Sequence, residues 1–439
     1  MKRQLLEKLI SWKKQRERKP ILLDGARQTG KSFLLQQLFG EYFDQVIRLD
    51  FLEQPALANL FEGSLNPEDI LDNIELEFNV SIDKSKALFI FDEIGECQAA
   101  VNSLKFFSEQ CADMYICASG SNIGLLDSFP VGKVELLDLY PLTFEEFLWA
   151  SNQQPLIKAF EQTKTTQVAH DKLFNLLLDY YYVGGMPEAV KTWFETEGSL
   201  GVLERTKKVK QIHSSLISGY ERDFGKYSDK ISAQHIQAVF NNIPAQLSRN
   251  IDDSVKRYKF KDAIQKKTRY QELAGPINWL DKCKLLSKCH PIDCQPTSPL
   301  SALAKENIFK LFLFDVGLLG HMLGLSYKEH RDQGFNYKGF IAENFVQNEL
   351  IAKYGRPTYS WEYARSEIEF LFKNDNGAIF PIEVKSGKRT RAKSLGVYVQ
   401  RYQPEKTVKL IGSRGSLGRQ RDLVLPLYYA CKIEHLLSE

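Results

Sequence analysis

The segment from Gly25 to Ser32 constrains the fold of this chain more than any other feature of the sequence. It reads Gly-Ala-Arg-Gln-Thr-Gly-Lys-Ser and fits the phosphate-binding pattern G-x-x-x-x-G-K-S at every position. It follows an apolar run at 20–24, typical of a buried parallel strand, and precedes a helical pattern at 31–39. The glycines let backbone N–H groups turn toward phosphate oxygens, and the helix adds its positive N-terminal end. The predicted nucleotide-binding residues are Gly25, Ala26, Arg27, Gln28, Thr29, Gly30, Lys31 and Ser32.

A second apolar run, 86–92, ends in two adjacent carboxylates, Asp92 and Glu93. We predict that Lys31 contacts the β- and γ-phosphates of ATP, and that Ser32 and Asp92 hold Mg²⁺, with Asp92 acting through water. Glu93 is predicted to orient and deprotonate the attacking water, which indicates hydrolysis rather than nucleotide storage. The predicted ligands are therefore ATP and Mg²⁺.

Two further residues are candidates at this site. Ser121 follows the predicted strand 113–118, where a small polar side chain is positioned to sense the γ-phosphate. Arg222, in the segment Glu-Arg-Asp-Phe, is a candidate arginine finger. A surface ion pair with a nearby acid is the alternative role for Arg222.

The first third of the chain alternates strand and helix patterns. Alternation of this kind predicts a parallel sheet with helices on both faces. The predicted strands are 20–24, 45–50, 86–92, 113–118 and 134–139, and the predicted helices are 31–39, 67–79 and 98–112. A chain of 439 residues is too long for one ordinary core. The predicted domains are a P-loop ATPase core of AAA type at 1–141, a helical lid at 142–228, a winged helix-turn-helix at 229–325 and a C-terminal α/β domain at 326–439.

The winged helix-turn-helix prediction depends on three helical patterns followed by two strands. The helices are predicted at 232–243, 258–265 and 268–283, and the strands at 284–290 and 308–314. Such a module either reads a DNA groove or serves as a rigid adaptor. If it reads DNA, Lys266, Lys267 and Arg269 are the expected phosphate contacts.

Composition limits the classes of function. A net charge of +3 gives no whole-protein case for binding nucleic acid or an anionic membrane. The sequence shows no signal peptide and no run of the roughly 20 apolar residues that span a bilayer, so we predict a cytoplasmic protein. The seven scattered cysteines do not indicate a disulfide framework. The cluster of Cys283, Cys289, His290 and Cys294 lacks the C-x₂-C pairs typical of zinc sites, which favours thiols without metal.

Four motifs resemble those of a known family. They are the loop segment 21–32, Tyr140-Pro-Leu-Thr-Phe-Glu-Glu-Phe, Gly184-Gly-Met-Pro-Glu-Ala-Val and Arg222-Asp-Phe-Gly-Lys-Tyr. Together they resemble a family of prokaryotic AAA-superfamily ATPases along nearly the whole chain. The resemblance implies a C-terminal domain with a restriction-endonuclease-like core. One departure is Gly132-Lys133, where the family usually has Gly-Arg, and it weakens the case for a cationic finger there.

The C-terminal domain carries a second set of charged candidates, Glu343, Glu369, Glu383 and Lys385. Glu369 and Glu383 lie on neighbouring predicted strands, and Glu343 lies on the helix before them. Because side chains alternate along a strand, Glu383 and Lys385 share one face. Two acids and a lysine on one face can hold a divalent ion and activate water for phosphodiester cleavage.

This set resembles the active site of the PD-(D/E)xK nucleases, except that Glu369 stands where an aspartate is expected. The alternative is a degenerate or structural site. The basic residues that follow either track a phosphate backbone or form a solvated helix start. They are Lys385, Lys388, Arg389, Arg391 and Lys393.

The leading prediction is an AAA-superfamily ATPase that couples ATP hydrolysis to a C-terminal nuclease-like or binding domain. The alternatives are an ATP-dependent DNA nuclease and a nucleotide-switched module that binds DNA or a protein without cleaving it. The predicted partner is ATP, with DNA and a protein partner as open alternatives and no membrane. An oligomer is compatible with each of these.

Overall fold

The computed structural model describes residues 1–121, 123–126, 128–225, 230–249, 257–264, 266–332, 338–387, 393–415 and 422–438. These residues divide into two compact units. Unit 1 consists of Met1–Tyr140 with the short segment Lys282–Lys284, and unit 2 consists of Pro141–Asp281 and Leu285–Glu439. Within the described ranges, no helix has both the length and the apolarity needed to cross a membrane. The four predicted domain boundaries stay a prediction.

Unit 1 contains a five-stranded sheet in which every pair of neighbouring strands is parallel. Its strands are β1 (Ile21–Asp24), β2 (Gln45–Asp50), β3 (Ala87–Asp92), β4 (Tyr115–Gly120) and β5 (Glu135–Asp138). The spatial order is β2-β3-β4-β1-β5, so β4 lies between the strand before the glycine loop and the strand that ends at Asp92. The predicted parallel α/β sheet is confirmed.

Helices cover both faces of this sheet because successive strand residues point to opposite sides. The helices are α1 (Leu5–Lys13), α2 (Lys31–Phe33, continued as a π-helix over Leu34–Phe39), α3 (Pro67–Phe78) and α4 (Gln98–Gln110). Phe89 of β3 packs in one apolar cluster with Leu104 of α4. Its neighbour Ile90 packs in the opposite cluster with Trp12 of α1. The fully buried β3 therefore carries its terminal acids to a fixed place at the edge of the sheet.

Unit 2 begins with helices and continues into a second sheet. Its helices are α5 (Phe144–Ala150), α6 (Gln154–Glu161), α7 (Gln167–Val183), α8 (Pro187–Glu195), α9 (Val202–Phe224), α10 (Lys230–Arg249), α11 (Tyr270–Lys282), α12 (Val316–Met322), α13 (Tyr327–Arg331), α14 (Lys338–Tyr354), α15 (Lys393–Tyr402) and α16 (Ile433–Ser438). α11 ends inside the segment that belongs to unit 1. The predicted helical region after residue 142 agrees with α5 to α9.

The glycine pair Gly184-Gly185 explains why two of the sequence motifs occur together. The Leu142 N–H donates to the Gly185 carbonyl at 2.7 Å, and the Gly185 N–H donates to the Asp315 carboxylate at 2.6 Å. A Cβ at Gly185 would lie 2.1 Å from the Leu142 carbonyl oxygen, and Gly184 has a φ of +72°. The turn that ends α7 therefore packs against the chain before α5 only because both residues are glycine.

The sheet of unit 2 has seven strands, some parallel and some antiparallel to their neighbours. They are β6 (Leu286–Ile292), β7 (Lys310–Leu313), β8 (Thr358–Tyr363), β9 (Ser366–Lys373), β10 (Ile379–Lys385), β11 (Thr407–Ile411) and β12 (Asp422–Pro426). The spatial order is β12-β11-β10-β9-β8-β6-β7. The predicted C-terminal strands β8, β9 and β10 therefore form an antiparallel core, to which β11 and β12 add parallel strands.

The two strands of the predicted wing, β6 and β7, pair with each other, and β6 also pairs with β8. The sequence predicts a two-stranded wing within a domain at 229–325, before the C-terminal domain. Instead, Cys289–Ile292 of β6 pair in parallel with Thr358–Trp361 of β8, which makes the hairpin the edge of the seven-stranded sheet. The winged helix-turn-helix assignment is therefore not confirmed.

Glu349 of α14 is buried in the core of unit 2. Its Oε1 accepts a hydrogen bond from the Phe144 N–H at 2.8 Å, while its Oε2 has no hydrogen-bond partner among the described residues. Burial raises the pKa of Glu349 to about 8, although the hydrogen bond from Phe144 favours the ionised form. Glu349 is therefore protonated at neutral pH.

We expect Glu349 to make the free energy of unfolding fall as pH rises from about 4.5 to about 8. Across this window the folded state keeps a proton that the unfolded state has lost, so stability decreases by up to about 1.4 kcal/mol per pH unit. Glu349→Gln removes the titration and keeps an acceptor for Phe144, so the slope in denaturant titrations should flatten. Glu405→Gln, an exposed change in the same unit, is the control. An unchanged slope in Glu349→Gln would show that Glu349 is ionised in the fold.

Candidate functional site

The glycine loop between β1 and α2 has an unusual backbone conformation. Gln28 and Gly30 have φ values of +63° and +91°, in the left-handed region. A Cβ at Gly25 would lie 2.3 Å from the Leu139 carbonyl oxygen. The first position of the motif therefore accepts only glycine, and the loop turns tightly enough to leave its backbone N–H groups for a ligand.

Arg3, near the start of the chain, holds the glycine loop in place by hydrogen bonds to backbone carbonyls. Its Nη1 donates to the Thr29 carbonyl at 2.8 Å, and its Nη2 donates to the Tyr140 carbonyl at 2.7 Å. The Thr29 hydroxyl donates to the Ala26 carbonyl at 2.8 Å and ties the loop across its base. Sequence reasoning missed Arg3, because nothing in its local sequence pairs it with the loop.

Lys31, the lysine of the motif, is folded back onto its own loop. Its Nζ donates to the Gly25 and Ala26 carbonyls at 2.9 and 3.0 Å. Burial lowers the pKa of Lys31, and the neighbouring carboxylates oppose this change, with Glu93 the strongest of them. The Lys31 ammonium is therefore buried within electrostatic range of the two acids at the end of β3.

Asp92 is held by donors from three elements. Arg48 of β2 donates to Oδ2 from Nε at 3.0 Å and from Nη2 at 2.7 Å, and the Ser119 hydroxyl of β4 donates to Oδ1. Burial opposes ionisation of Asp92, but hydrogen bonds from Ser119, Ser32 and Arg48 lower its pKa below the usual value. Asp92 is therefore ionised at neutral pH and in contact with the Ser32 hydroxyl.

Glu93 leaves the strand in a strained conformation. Its φ is +49° and its ψ is +46°, which a non-glycine residue rarely adopts and which occurs often at functional sites. Burial raises the pKa of Glu93, Lys31 opposes this, and the charge of Asp92 adds to it. The two adjacent acids therefore have pKa shifts of opposite sign.

Ser121 lies between Glu93 and Arg27. Its hydroxyl donates to Glu93 Oε2 at 3.5 Å and accepts from Arg27 Nε at 3.3 Å. Ser121 therefore links the Arg27 side chain of the glycine loop to the Glu93 carboxylate.

Lys284 is a further residue that sequence reasoning missed. It belongs to the short segment grouped with unit 1, and its Nζ lies 2.9 Å from Asp24 Oδ2 and 2.7 Å from Asp138 Oδ1. Asp24 is the last residue of β1, directly before the glycine loop. Burial raises the pKa of Asp24, and Lys284 opposes this change. The sequence gives no signal for this contact, because the lysine lies far along the chain from both acids.

Arg222 is exposed at the end of α9, in unit 2. Its predicted role as an arginine finger stays a prediction. Lys133, at the position where the resembling family usually has arginine, forms an ion pair with Glu109 at 2.7 Å, and both side chains are exposed. This contact agrees with the weakened case for a cationic finger at residues 132–133.

The C-terminal candidates meet at the carboxyl end of β10. Lys385 Nζ lies 2.7 Å from Glu383 Oε1 and 3.4 Å from Glu369 Oε1 on the neighbouring β9. The Val384 N–H donates to Glu369 Oε2 at 3.0 Å. Burial and the charge of Glu369 raise the pKa of Glu383 to about 7, although Lys385 opposes this. The predicted shared face of the two acids and the lysine is therefore present.

The predicted place of Glu343 in this group stays a prediction. Among the described residues, no three His, Cys, Asp or Glu side chains are arranged to hold a metal ion. Glu343, on α14, is buried and acts electrostatically on Cys289 of β6. In the cysteine cluster, Cys294 is exposed and His290 Nδ1 lies 3.2 Å from the Ile308 carbonyl oxygen.

Among the remaining basic candidates that the structure describes, two contact other residues of unit 2. Lys267 Nζ lies 3.5 Å from His235 Nδ1, and the Arg269 N–H donates to Glu272 Oε2 at 2.9 Å, beside the start of α11. Lys388, Arg389 and Arg391 lie outside the described residues. The predicted DNA contacts of Lys266, Lys267 and Arg269 stay a prediction.

Three segments of the chain match models of protein families. Residues 17–148 match an AAA domain, residues 175–329 match a domain of unknown function (DUF8612), and residues 338–429 match another domain of unknown function (DUF4143). No curated protein matches this chain. The first match covers the glycine loop and the parallel sheet and supports a P-loop domain of AAA type at residues 17–148.

Two solved structures are similar at low identity. The Walker-type ATPase PABY2304 of Pyrococcus abyssi is 13% identical with a TM-score of 0.45, and the match covers 73% of this chain and 95% of that chain. A structure of Drosophila ORC bound to DNA is 11% identical with a TM-score of 0.27, and the match covers 73% of this chain and 84% of that chain. At these values neither likeness defines what this chain binds.

We expect Lys284→Met to loosen β1 and the glycine loop. It leaves the buried Asp24 carboxylate without its cation, and breaking such a pair typically costs roughly 3 kcal/mol. Hydrogen exchange of the peptide that covers β1 should therefore become faster. Adding Asp24→Asn should restore part of the protection, because it removes the unpaired charge. Lys282→Met, an exposed lysine in the same segment, is the control. Unchanged exchange in Lys284→Met would show that the ion pair does not stabilise the loop.

Proposed function

We propose that this chain binds Mg²⁺-ATP at the glycine loop and hydrolyses it with Glu93 as the general base. The observation that supports this most strongly is the convergence of Lys31, Asp92 and Glu93 within electrostatic range of one another. They lie at the carboxyl edge of a parallel sheet, where ligands bind in open α/β folds.

The lysine and the loop supply the phosphate contacts. Lys31 exchanges the Gly25 and Ala26 carbonyls for β- and γ-phosphate oxygens, which gives its buried ammonium a stronger acceptor. The backbone N–H groups of residues 25–30 surround the remaining phosphate oxygens. Since β4 separates β1 from β3, the ends of these strands lie roughly 9.6 Å apart, two spacings of about 4.8 Å. That gap accommodates the terminal phosphate and one water between the loop and Glu93.

Ser32 and Asp92 fit Mg²⁺ because a hydroxyl and an ionised carboxylate are the hard oxygen donors that this ion prefers. Ser32 would hold the ion directly and Asp92 through water. When bound, Mg²⁺ neutralises charge on the β- and γ-phosphates. Arg48 and Ser119 keep the Asp92 carboxylate ionised and fixed in direction.

Glu93 accepts a proton from the water that attacks the γ-phosphorus. The bond from the γ-phosphorus to the bridging oxygen breaks, ADP leaves with that electron pair, and phosphate is released. The raised pKa of Glu93 makes it a stronger base than an ordinary glutamate. Ser121, which contacts Glu93, orients the water and senses the γ-phosphate. Arg222 is the proposed source of additional positive charge in the transition state.

Unit 2 is the proposed recipient of the energy of hydrolysis. Its C-terminal sheet carries the Glu369, Glu383 and Lys385 group, and this convergence favours a second candidate function, metal-dependent cleavage of DNA by a restriction-endonuclease-like domain. The opposing possibility is an inactive site in which Lys385 neutralises the two acids. In that case unit 2 is a binding module for DNA or a protein.

We expect Lys31→Ala and Glu93→Gln to separate binding from turnover. Lys31→Ala removes the γ-phosphate contact and should abolish tight binding of a fluorescent ATP analogue. Glu93→Gln should bind the analogue as the wild type does but release phosphate about 10²–10⁴-fold more slowly. Glu96→Gln, an exposed acid in the same turn, should behave as the wild type. Wild-type turnover in Glu93→Gln would assign the base to another residue.

The C-terminal site can be tested by shortening the side chain of Glu369 to that of aspartate. If it is active, the wild type should nick supercoiled plasmid with Mg²⁺ or Mn²⁺ in the presence of ATP, and Glu383→Ala should not. Glu369→Asp should retain or increase cleavage, because it restores the side chain expected at that position. Cleavage at background in both the wild type and Glu369→Asp would exclude a nuclease and leave the binding module.

A further inference from the structure

A cavity of about 530 Å³ lies within unit 2, away from both groups of residues described above. Its lining residues come from α7, α9, α12, α13 and the turn before α13. All of them fall between residues 182 and 328, inside the segment that matches a domain of unknown function. The volume is in the range typical of sites for small organic ligands, about 300–1,000 Å³.

One wall of the cavity is a stripe along α9. Val202, Thr206, Lys210 and His213 are spaced by four, four and three residues, so they lie on one face of the helix. Val202 and Leu203 are 48% and 69% exposed, which leaves an apolar rim at the mouth. The walls are predominantly apolar, as in most small-molecule sites.

The basic side chains at the cavity are two lysines and two histidines. Lys210, His213, His321 and Lys328 line it, and no lining residue is an acid. Burial lowers the pKa of His213 to about 4, and burial together with Lys210 lowers the pKa of His321. Both imidazoles are therefore neutral at neutral pH, so the positive charge comes from the two exposed lysines.

The acidic side chains near the cavity already have hydrogen-bond or ion-pair partners. Glu329 accepts from the Ser326 N–H at 2.7 Å, and Asp179 accepts from the Tyr327 hydroxyl and from Arg331. Glu204 pairs with Lys207, at 3.2 Å. None of these contacts involves Lys210 or Lys328, so the two ammonium groups are suited to an anion brought by a ligand.

We propose that this cavity binds a small carboxylate with an apolar body, such as a medium-chain aliphatic acid. The apolar walls remove the hydrocarbon from water, and the exposed lining lysines Lys210 and Lys328 pair with the carboxylate. Such a ligand gives the segment 175–329 a sensing or carrying role. The inference does not depend on the ATPase proposal, because binding is measured without nucleotide.

Calorimetric titration of the full chain with octanoate tests this directly. Octanoate should bind saturably, whereas octanamide, which lacks the charge, and acetate, which lacks the chain, should each bind at least about tenfold more weakly. Lys210→Gln with Lys328→Gln should weaken octanoate about tenfold. Lys208→Gln, an exposed lysine of α9 outside the cavity, should leave it unchanged.

Three results would overturn the proposal. Equal affinity for octanamide would remove the role of the lysines, and unchanged affinity in the double variant would place the ligand elsewhere. No octanoate binding, with binding of a peptide that ends in a free apolar residue, would make the cavity a docking site for a protein terminus. Because both lysines are exposed, the double variant should fold, and its circular dichroism spectrum checks this.

Discussion

Three donors from separate elements meet at the carboxylate of Asp92, and the geometry of the nucleotide site depends on that contact. Arg48 comes from β2, Ser119 from β4 and Ser32 from the helix after the glycine loop. Asp92 is 1% exposed, so its charge would be costly without these partners. The network also fixes the end of β3, and therefore the direction in which Glu93 leaves the strand.

The two adjacent acids are suited to different tasks because their surroundings differ. Hydrogen bonds lower the pKa of Asp92 despite its burial, which suits a ligand for a cation. Burial raises the pKa of Glu93, which suits a group that takes a proton. Lys31 lies within electrostatic range of both and limits their repulsion. At the end of β1, Lys284 does the same for Asp24 and Asp138.

The sequence predicts the parts of this molecule that depend on local pattern. β3 is buried at every residue, so it appears in the sequence as a continuous apolar run. The loop after β1 has room only for glycine at its first position, and the sequence motif contains that glycine. The contacts of Arg3, Arg48 and Lys284 follow from the tertiary fold, and no local pattern encodes them. The parallel pairing of β6 with β8 could not be predicted from the sequence, because an apolar strand shows the same pattern whether its second neighbour is solvent or another strand. The two acids and the lysine of β9 and β10 lie together, because the alternation of side chains along each strand places them on one face.

Attack of water at the γ-phosphorus, for which Glu93 is the proposed base, has one direct chemical signature. When the purified chain hydrolyses Mg²⁺-ATP in water enriched in oxygen-18, the attacking oxygen must come from the solvent. In a single turnover the account predicts one solvent oxygen in the released phosphate and none in ADP, measured by mass spectrometry. Solvent oxygen in ADP, or no hydrolysis by the intact chain, would contradict it.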